Sequence, residues 1–188
     1  RNFRNEGVDK KHNPEFTALE AYQAYADYND MAELIPDLIR YVCEQVLGKP
    51  SFTFNGQEID VSRPFPRKSI VDLVKEYVGI DLMAAKTVEE AREMAKSIGI
   101  QPVLVMDMPR DVSPLAKTHR SNPRLVEHFD AYACGMELGC AYSELSNPLE
   151  QRARFDAQCA EREAGDDEAQ MLDEDFVNAL ENALPPTG

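Results

Sequence analysis

Tryptophan is absent from this 188-residue chain, and histidine occurs only three times. Its four cysteines, Cys43, Cys134, Cys140 and Cys159, form no Cys-x-x-Cys pair, and no histidine stands at ligand spacing to a cysteine pair. A structural zinc site is therefore not expected. Scattered thiols suit reduced cysteines and a cytoplasmic setting. Positive charge is also scarce: 20 Lys and Arg against 34 Asp and Glu leave a net charge of -14. Such a chain is a poor stand-alone nucleic-acid binder, because phosphate contacts need clustered cations. No apolar run is long enough to span a bilayer. The polar, charged start is not that of a signal peptide. No membrane association is expected. A Gly-rich phosphate loop is missing too, which argues against a Rossmann-type nucleotide site.

What is present suffices for one domain with a real core, since 43% of residues are hydrophobic. Residues 15–24 read as a strand, although their alanines also permit a helix. Asp30 to Leu47 is the clearest helix. Met31, Leu34, Ile35, Leu38, Ile39, Val42 and Val46 recur at helical spacing, Asp30 with Glu33 makes a capping box, and Gly48 stands at the stop. Asn55-Gly56 between Phe52-Thr53-Phe54 and Ile59-Asp60-Val61 signals a hairpin. Further helices are expected from Ser69 to Tyr77, with Asp72 in its cap, and from Thr87 to Ile98, with Glu90 and Gly99 at its ends. Val103 to Met106 reads as a buried strand, and 125–145 as strands around Gly135 and Gly139. Asn147-Pro148 opens a helix towards Gly165. Phe176, Val177, Leu180 and Leu184 line a last one. The acidic segments Asp166-Asp167-Glu168 and Asp173-Glu174-Asp175 read as a solvated loop and helix start.

Two clusters could carry chemistry. The first runs from Arg1-Asn2-Phe3-Arg4-Asn5-Glu6 through His12-Asn13-Pro14-Glu15-Phe16 to Glu20 and Tyr22. Arg4 and Glu6 would share one strand face, and Phe16, Glu20 and Tyr22 share parity. Two strands joined through Gly7 and Lys10-Lys11 would gather a forked cation, an aromatic face and several acids. Singly, each has a plain alternative: a surface ion pair, a core aromatic, a loop histidine. The second cluster is Asp130, Glu137 and Glu144, with Tyr142 and Ser143. On a regular strand Glu137 and Glu144 would face opposite ways, unless Gly139 marks a bulge. Buried acids need a cation, either a divalent metal or a substrate ammonium. The alternative, slightly favoured from this segment alone, is that Asp130 and Glu137 merely edge a solvated hairpin.

Together these segments resemble the class II lysyl-tRNA synthetase family. Arg1 to Asp30 resembles its motif 2 throughout. The likeness continues at Ser113-Pro114-Leu115-Ala116-Lys117, Ala141-Tyr142-Ser143-Glu144-Leu145, Gln151-Arg152, Arg154-Phe155, Gly165-Asp166-Asp167-Glu168-Ala169, Asp173-Glu174-Asp175-Phe176, Ala179-Leu180-Glu181 and Pro185-Pro186-Thr187-Gly188. The resemblance implies an α+β fold: an antiparallel β-sheet flanked by helices. It implies ATP and Mg2+ as cofactors, lysine and tRNA(Lys) as substrates, and a homodimer. The reaction it implies is attack of the lysine carboxylate on the α-phosphorus, giving lysyl-adenylate, then transfer to tRNA. Alignment and charge neutralisation would drive it, without a general base.

By the same resemblance, Arg4 would be catalytic, touching the α-phosphate and the lysine carboxylate. Glu6, His12 and Asn13 would line the nucleotide site, and Phe16 would stack on adenine. Glu20, Tyr22, Cys140, Tyr142 and Glu144 would form the lysine pocket, Glu144 pairing with the ε-ammonium. Asp130 and Glu137 would hold magnesium. Asp130 stands where the family usually has Glu, and Cys140 where many members have Asn, so Cys140 cannot supply both amide hydrogen bonds.

The start at Arg1 and the end at Gly188 read as cuts through a larger domain. Motif 1 and an anticodon-binding OB-fold would precede Arg1, motif 3 would follow Gly188, and an extra stretch would fall between Ile100 and Gln101. Residues 1–188 would then be one truncated catalytic domain, inactive alone. Two other readings share the pattern. One is a lysyl-transferring paralogue, either the elongation factor P lysine ligase or the synthetase domain of a lysyl-phosphatidylglycerol synthase. The other is a non-catalytic lysine-binding module.

Overall fold

A computed structural model describes residues 1–4, 8, 12–78, 101–110, 113–165, 169 and 171–188. The helix expected from Thr87 lies outside the described residues, as do Glu6, Gly7, Lys10-Lys11 and Asp166-Asp167-Glu168.

The chain opens with a short antiparallel ribbon, β1 (Asn2–Phe3) against β2 (Glu15–Phe16), in which Asn2 faces Phe16. The strand expected over 15–24 stops at Phe16. The physical reason is a lack of partners: residues 17–25 are exposed. The chain pairs again only at its far end. There Gln23 and Gly188 exchange backbone bonds of 2.8 and 3.1 Å, and the Tyr25 amide donates to the Pro186 carbonyl at 2.6 Å.

Helix α1 (Tyr28–Leu47) begins earlier than its sequence suggests. Asp27, not Asp30, is its N-cap. The Asn29 amide donates to Asp27, and the Asp27 amide donates back to Asp30 Oδ2, both at 2.8 Å. Asp30 therefore serves as the third helical residue of the capping box, the role assigned to Glu33. Gly48 ends the helix at φ 70°, as expected. Strands β3 (Ser51–Phe54) and β4 (Gln57–Asp60) form the predicted hairpin, with Asn55 and Gly56 at φ 49° and 78°.

The central sheet has the order β5 (Arg67–Ser69), β6 (Val103–Met106), β7 (His128–Ala133), β8 (Met136–Tyr142). Strands β6, β7 and β8 run antiparallel, while β5 joins the edge in parallel and leads directly into α2 (Ile70–Val78). Alternation on the strands separates two cores. Leu104, Met106, Phe129 and Ala131 pack against α1 residues Tyr28, Met31 and Ala32 and against Ile59, Val61 and Phe65. Val103, Val105 and Tyr132 pack instead with Ile70, Leu73 and Val74 of α2. The outer residues of the α1 apolar stripe, Leu34, Leu38, Val42 and Val46, remain exposed.

Helix α3 (Pro148–Glu163) is capped by Asn147, which accepts from the Leu149 and Glu150 amides at 3.0 and 3.3 Å. Such a cap contributes about 1 kcal/mol. The helix pins the 113–118 segment. Arg154 donates to the Ser113 and Ala116 carbonyls and to the Thr118 hydroxyl, and Gln151 donates to the Pro114 carbonyl. Helix α4 (Glu174–Glu181) starts at Asp173 and buries Val177 and Leu180. Phe176 meets Phe155 edge-on at 6.2 Å.

Candidate active site

The register of β7 and β8 decides which acids meet. Asp130 pairs with Cys140 and Ala131 with Gly139, but Tyr132 pairs with Glu137, so Leu138 is an extra residue. This bulge beside Gly139 flips the phase of β8. Glu137, Cys140 and Tyr142 consequently lie on one face with His128, Asp130 and Tyr132. The opposite-face arrangement that plain parity gives Glu137 and Glu144 does not hold. Asp130 is buried, so it does not edge a solvated hairpin; Glu137 is exposed.

On this face the residues expected to form the lysine pocket come together. Glu144 is half-buried, and burial pushes its carboxyl up to about 6. No cation among the described residues forms an ion pair with it. Burial, then the nearby Glu144 and Tyr22, push the Tyr142 phenol up to about 12. Burial, then Glu20 and Glu144, raise that of Tyr22 as well. These mutual influences bring Glu20, Tyr22, Tyr142 and Glu144 together, with Cys140 also acting on Tyr142. The cause is local. The Glu144 amide donates to the Thr187 carbonyl at 2.8 Å, and the same 186–188 segment pairs with 23–25. Gly188 is needed there, because a Cβ would lie 2.7 Å from the Asp27 carbonyl oxygen.

A second network braces this arrangement from behind. Fully buried Glu127 accepts from Arg120 Nε at 2.6 Å and from the Ser143 hydroxyl at 2.7 Å. Ser143 in turn accepts from the Tyr28 amide at 3.0 Å, and Arg120 Nη2 donates to Asp27 at 2.7 Å. Burial alone would raise the Glu127 carboxyl, but the bonds from Arg120 and Ser143 prevail and lower it. Sequence reading missed Glu127 and Arg120; Glu127 alone carried a signal, an acid beside Leu125, Val126 and Phe129.

The residues expected to line a nucleotide site lie on the ribbon. Arg4 lies over the Phe16 ring, its guanidinium carbon 5.3 Å from the centroid, and the Arg4 amide donates to the Pro14 carbonyl at 3.0 Å. His12 and Asn13 are exposed at the ribbon's end. On the sheet, ligand atoms of Asp130, His128 and Cys140 lie within 4.8 Å of one another.

The chain thus offers an arginine over an aromatic ring on its ribbon and acids on one face of its antiparallel sheet. The model of the class II tRNA synthetase family for D, K and N matches residues 1–188, so the chain belongs to that family. Among curated relatives, a lysine–tRNA ligase of Clostridium novyi (strain NT) is 47% identical over 216 residues, covering 100% of this chain and 42% of that protein. One from Clostridium acetobutylicum is 45% identical over the same coverage. One from Nostoc punctiforme is 46% identical over 212 residues, covering 99% of this chain and 38% of that protein. The chain thus spans about two fifths of the length of these relatives.

Proposed function

We propose that the full-length protein activates lysine with ATP, forming lysyl-adenylate, and passes the lysine to tRNA(Lys). The observation that carries this reading is Glu144: a half-buried carboxylate, raised to about 6 by burial, with no cationic partner among the described residues. An aspartate side chain would be repelled there, and an asparagine amide would leave the charge unpaired. A lysine ε-ammonium satisfies it. The relatives named lysine–tRNA ligase support the same choice within a family that also handles D and N.

ATP would be held by Arg4 at its phosphates and by Phe16 under adenine, with His12 and Asn13 beside it and Glu6 completing the set. Arg4 stacks on Phe16 here, so it must swing to the phosphates when a base takes the ring. Asp130 and Glu137 share a face, and their oxygens fit the hard-donor preference of magnesium. Bound there, Mg2+ would neutralise phosphate charge. Glu20 and Tyr22 would hold the α-ammonium end of lysine. Cys140 would border its carboxylate. Arg4 would align that carboxylate with the α-phosphorus and offset the charge that develops.

The wider protein would be a cytoplasmic homodimer with no membrane attachment. No helix among the described residues is long and apolar enough to cross a membrane, and the exposed stripe Leu34, Leu38, Val42 and Val46 favours a partner surface. Residues 1–188 would be a truncated catalytic domain lacking motif 1, the OB-fold and motif 3. Alignments of 216 positions against 188 residues support a stretch missing inside it, assigned between Ile100 and Gln101.

The test is lysine-dependent ATP–pyrophosphate exchange by the full-length protein and its Arg4→Ala variant. Exchange with lysine alone among lysine, aspartate and asparagine, lost in the variant, is expected. Lysine binding without exchange would replace the enzyme by a binding module. Exchange without charging of tRNA(Lys) would point to a lysyl-transferring paralogue.

A further inference from the structure

The two walls of the proposed lysine pocket come from distant parts of the chain. Glu20 and Tyr22 precede α1, whereas Tyr142 and Glu144 flank Ser143 where β8 ends. One link between the walls is the 186–188 segment, which bonds Gln23 and Tyr25 on one side and the Glu144 amide on the other. The second link is a single hydroxyl. The Tyr28 amide, in the first turn of α1, donates to Ser143 Oγ at 3.0 Å.

Every polar atom of Ser143 is engaged. Its amide donates to the Glu127 carbonyl at 2.9 Å, and its carbonyl accepts from the Lys117 amide at 2.8 Å. Its hydroxyl donates to Glu127 Oε2 at 2.7 Å. That bond sets the direction of the link to α1: with the hydroxyl proton drawn to the carboxylate, an Oγ lone pair is left for the Tyr28 amide. Arg120 aligns the carboxylate, reaching Oε1 from Nε at 2.6 Å and Oε2 from Nη2 at 3.1 Å. Glu127 is fully buried. Apolar residues of similar volume often fill such a place with equal or greater stability. What they cannot do is orient a hydroxyl.

We propose that Glu127 is a positioning residue for amino-acid selection: through Ser143 it fixes the spacing between the Glu20–Tyr22 and Tyr142–Glu144 walls, and so the side-chain length that the pocket accepts. The inference rests on the lysine reading of that pocket, and Glu127 itself touches no substrate. On that reading Glu144 receives the ε-ammonium and Glu20 with Tyr22 the α-ammonium end. A displacement of one wall by a methylene's length then changes which homologue spans them, and small misplacements of this kind are costly in rate. Arg120 holds Glu127 in place; the Ser143 hydroxyl alone passes the constraint to α1.

The experiment uses the full-length protein and its Ser143→Ala variant, which removes only the hydroxyl and leaves both Arg120 contacts to Glu127. Lysine is compared with ornithine, one methylene shorter, in ATP–pyrophosphate exchange. The lysine-over-ornithine ratio of kcat/KM should fall about tenfold, with most of the loss for lysine in KM. A smaller folded fraction would not move that ratio. Glu127→Gln, which keeps the volume and one acceptor oxygen, should give an intermediate fall. Asn147→Ala, at the α3 cap, should lower stability and keep the ratio. A second readout needs no activity: in protein labelled with 3-fluorotyrosine, the fluorine resonances of Tyr22 and Tyr142, assigned with Tyr22→Phe and Tyr142→Phe, should shift in Ser143→Ala and stay in Asn147→Ala. An unchanged ratio overturns the proposal, as do unshifted resonances or an equal fall in Asn147→Ala. If the parent does not activate lysine, the lysine reading fails; shifted resonances then still support Glu127 as the spacer of the walls, and unshifted ones overturn it.

Discussion

The β1–β2 ribbon and the β6–β7–β8 sheet carry the residues proposed for the nucleotide and for lysine, and they are built differently. The sheet buries every residue from His128 to Ala133 and fixes its acids by register. The ribbon has four strand residues, three of them exposed, and Arg4 itself is exposed at its edge, over the Phe16 ring. Preorganised charge is stable but expensive, because buried carboxylates lose hydration. An exposed arginine costs little until its ligand arrives. On the proposed reading, the lysine side would be formed in advance and the nucleotide side completed by what binds.

That contrast predicts a graded series. Arg4→Ala should have the largest effect on function, on the order of 10²–10³-fold in exchange rate, because it removes the group that offsets transition-state charge. Thermal melting should barely move, since the ribbon contributes little packing. Glu144→Gln should lower kcat/KM for lysine about 10²-fold, mostly through KM, and should slightly raise stability by removing a half-buried charge. Equal losses in kcat and KM terms for the two variants would erase the distinction between the halves.

Arg120→Ala should act on folding rather than chemistry, because it strands fully buried Glu127. Losing one partner of a buried pair costs about 3–5 kcal/mol. Arg120 is itself 57% exposed and screened, so about 2 kcal/mol is expected. Chemical denaturation measures it. The sign of the pH effect follows from the same residue. Glu127 is lowered in the folded protein, so its contribution is present above the unfolded carboxylate range and lost as pH falls through its folded value. Glu144 behaves oppositely. Raised to about 6, it favours the protonated fold and weakens stability as pH rises from the unfolded value through about 6.

Much of this was legible in the chain and some was not. The Asn55-Gly56 hairpin, the Gly48 stop and the Asn147-Pro148 start follow from local backbone chemistry, and the structure bears them out. The α1 cap was misplaced because Asp27 and Asp30 are both competent, and the start is fixed by distant partners: Arg120 at Asp27 and Ser143 at the Tyr28 amide. The strand over 15–24 failed because strand propensity is realised only where a partner strand exists. On the site, Glu144, Tyr142, Glu20 and Tyr22 were named, and the structure brings them together. The grouping of His128 with Asp130 and Cys140 was invisible, because it depends on cross-strand register rather than spacing. The Leu138 bulge was equally hard to read, although Gly139 pointed at it.

The most direct test of the account is calorimetry of lysine binding to the full-length protein at pH about 6, in buffers of different ionisation heat. Free Glu144 is then close to half-protonated, and an ammonium partner demands its ionised form. The account predicts release of about half a proton per lysine bound, absent in Glu144→Gln. Binding with no proton release, or with the same release in the variant, would contradict the claim that Glu144 receives the substrate's charge.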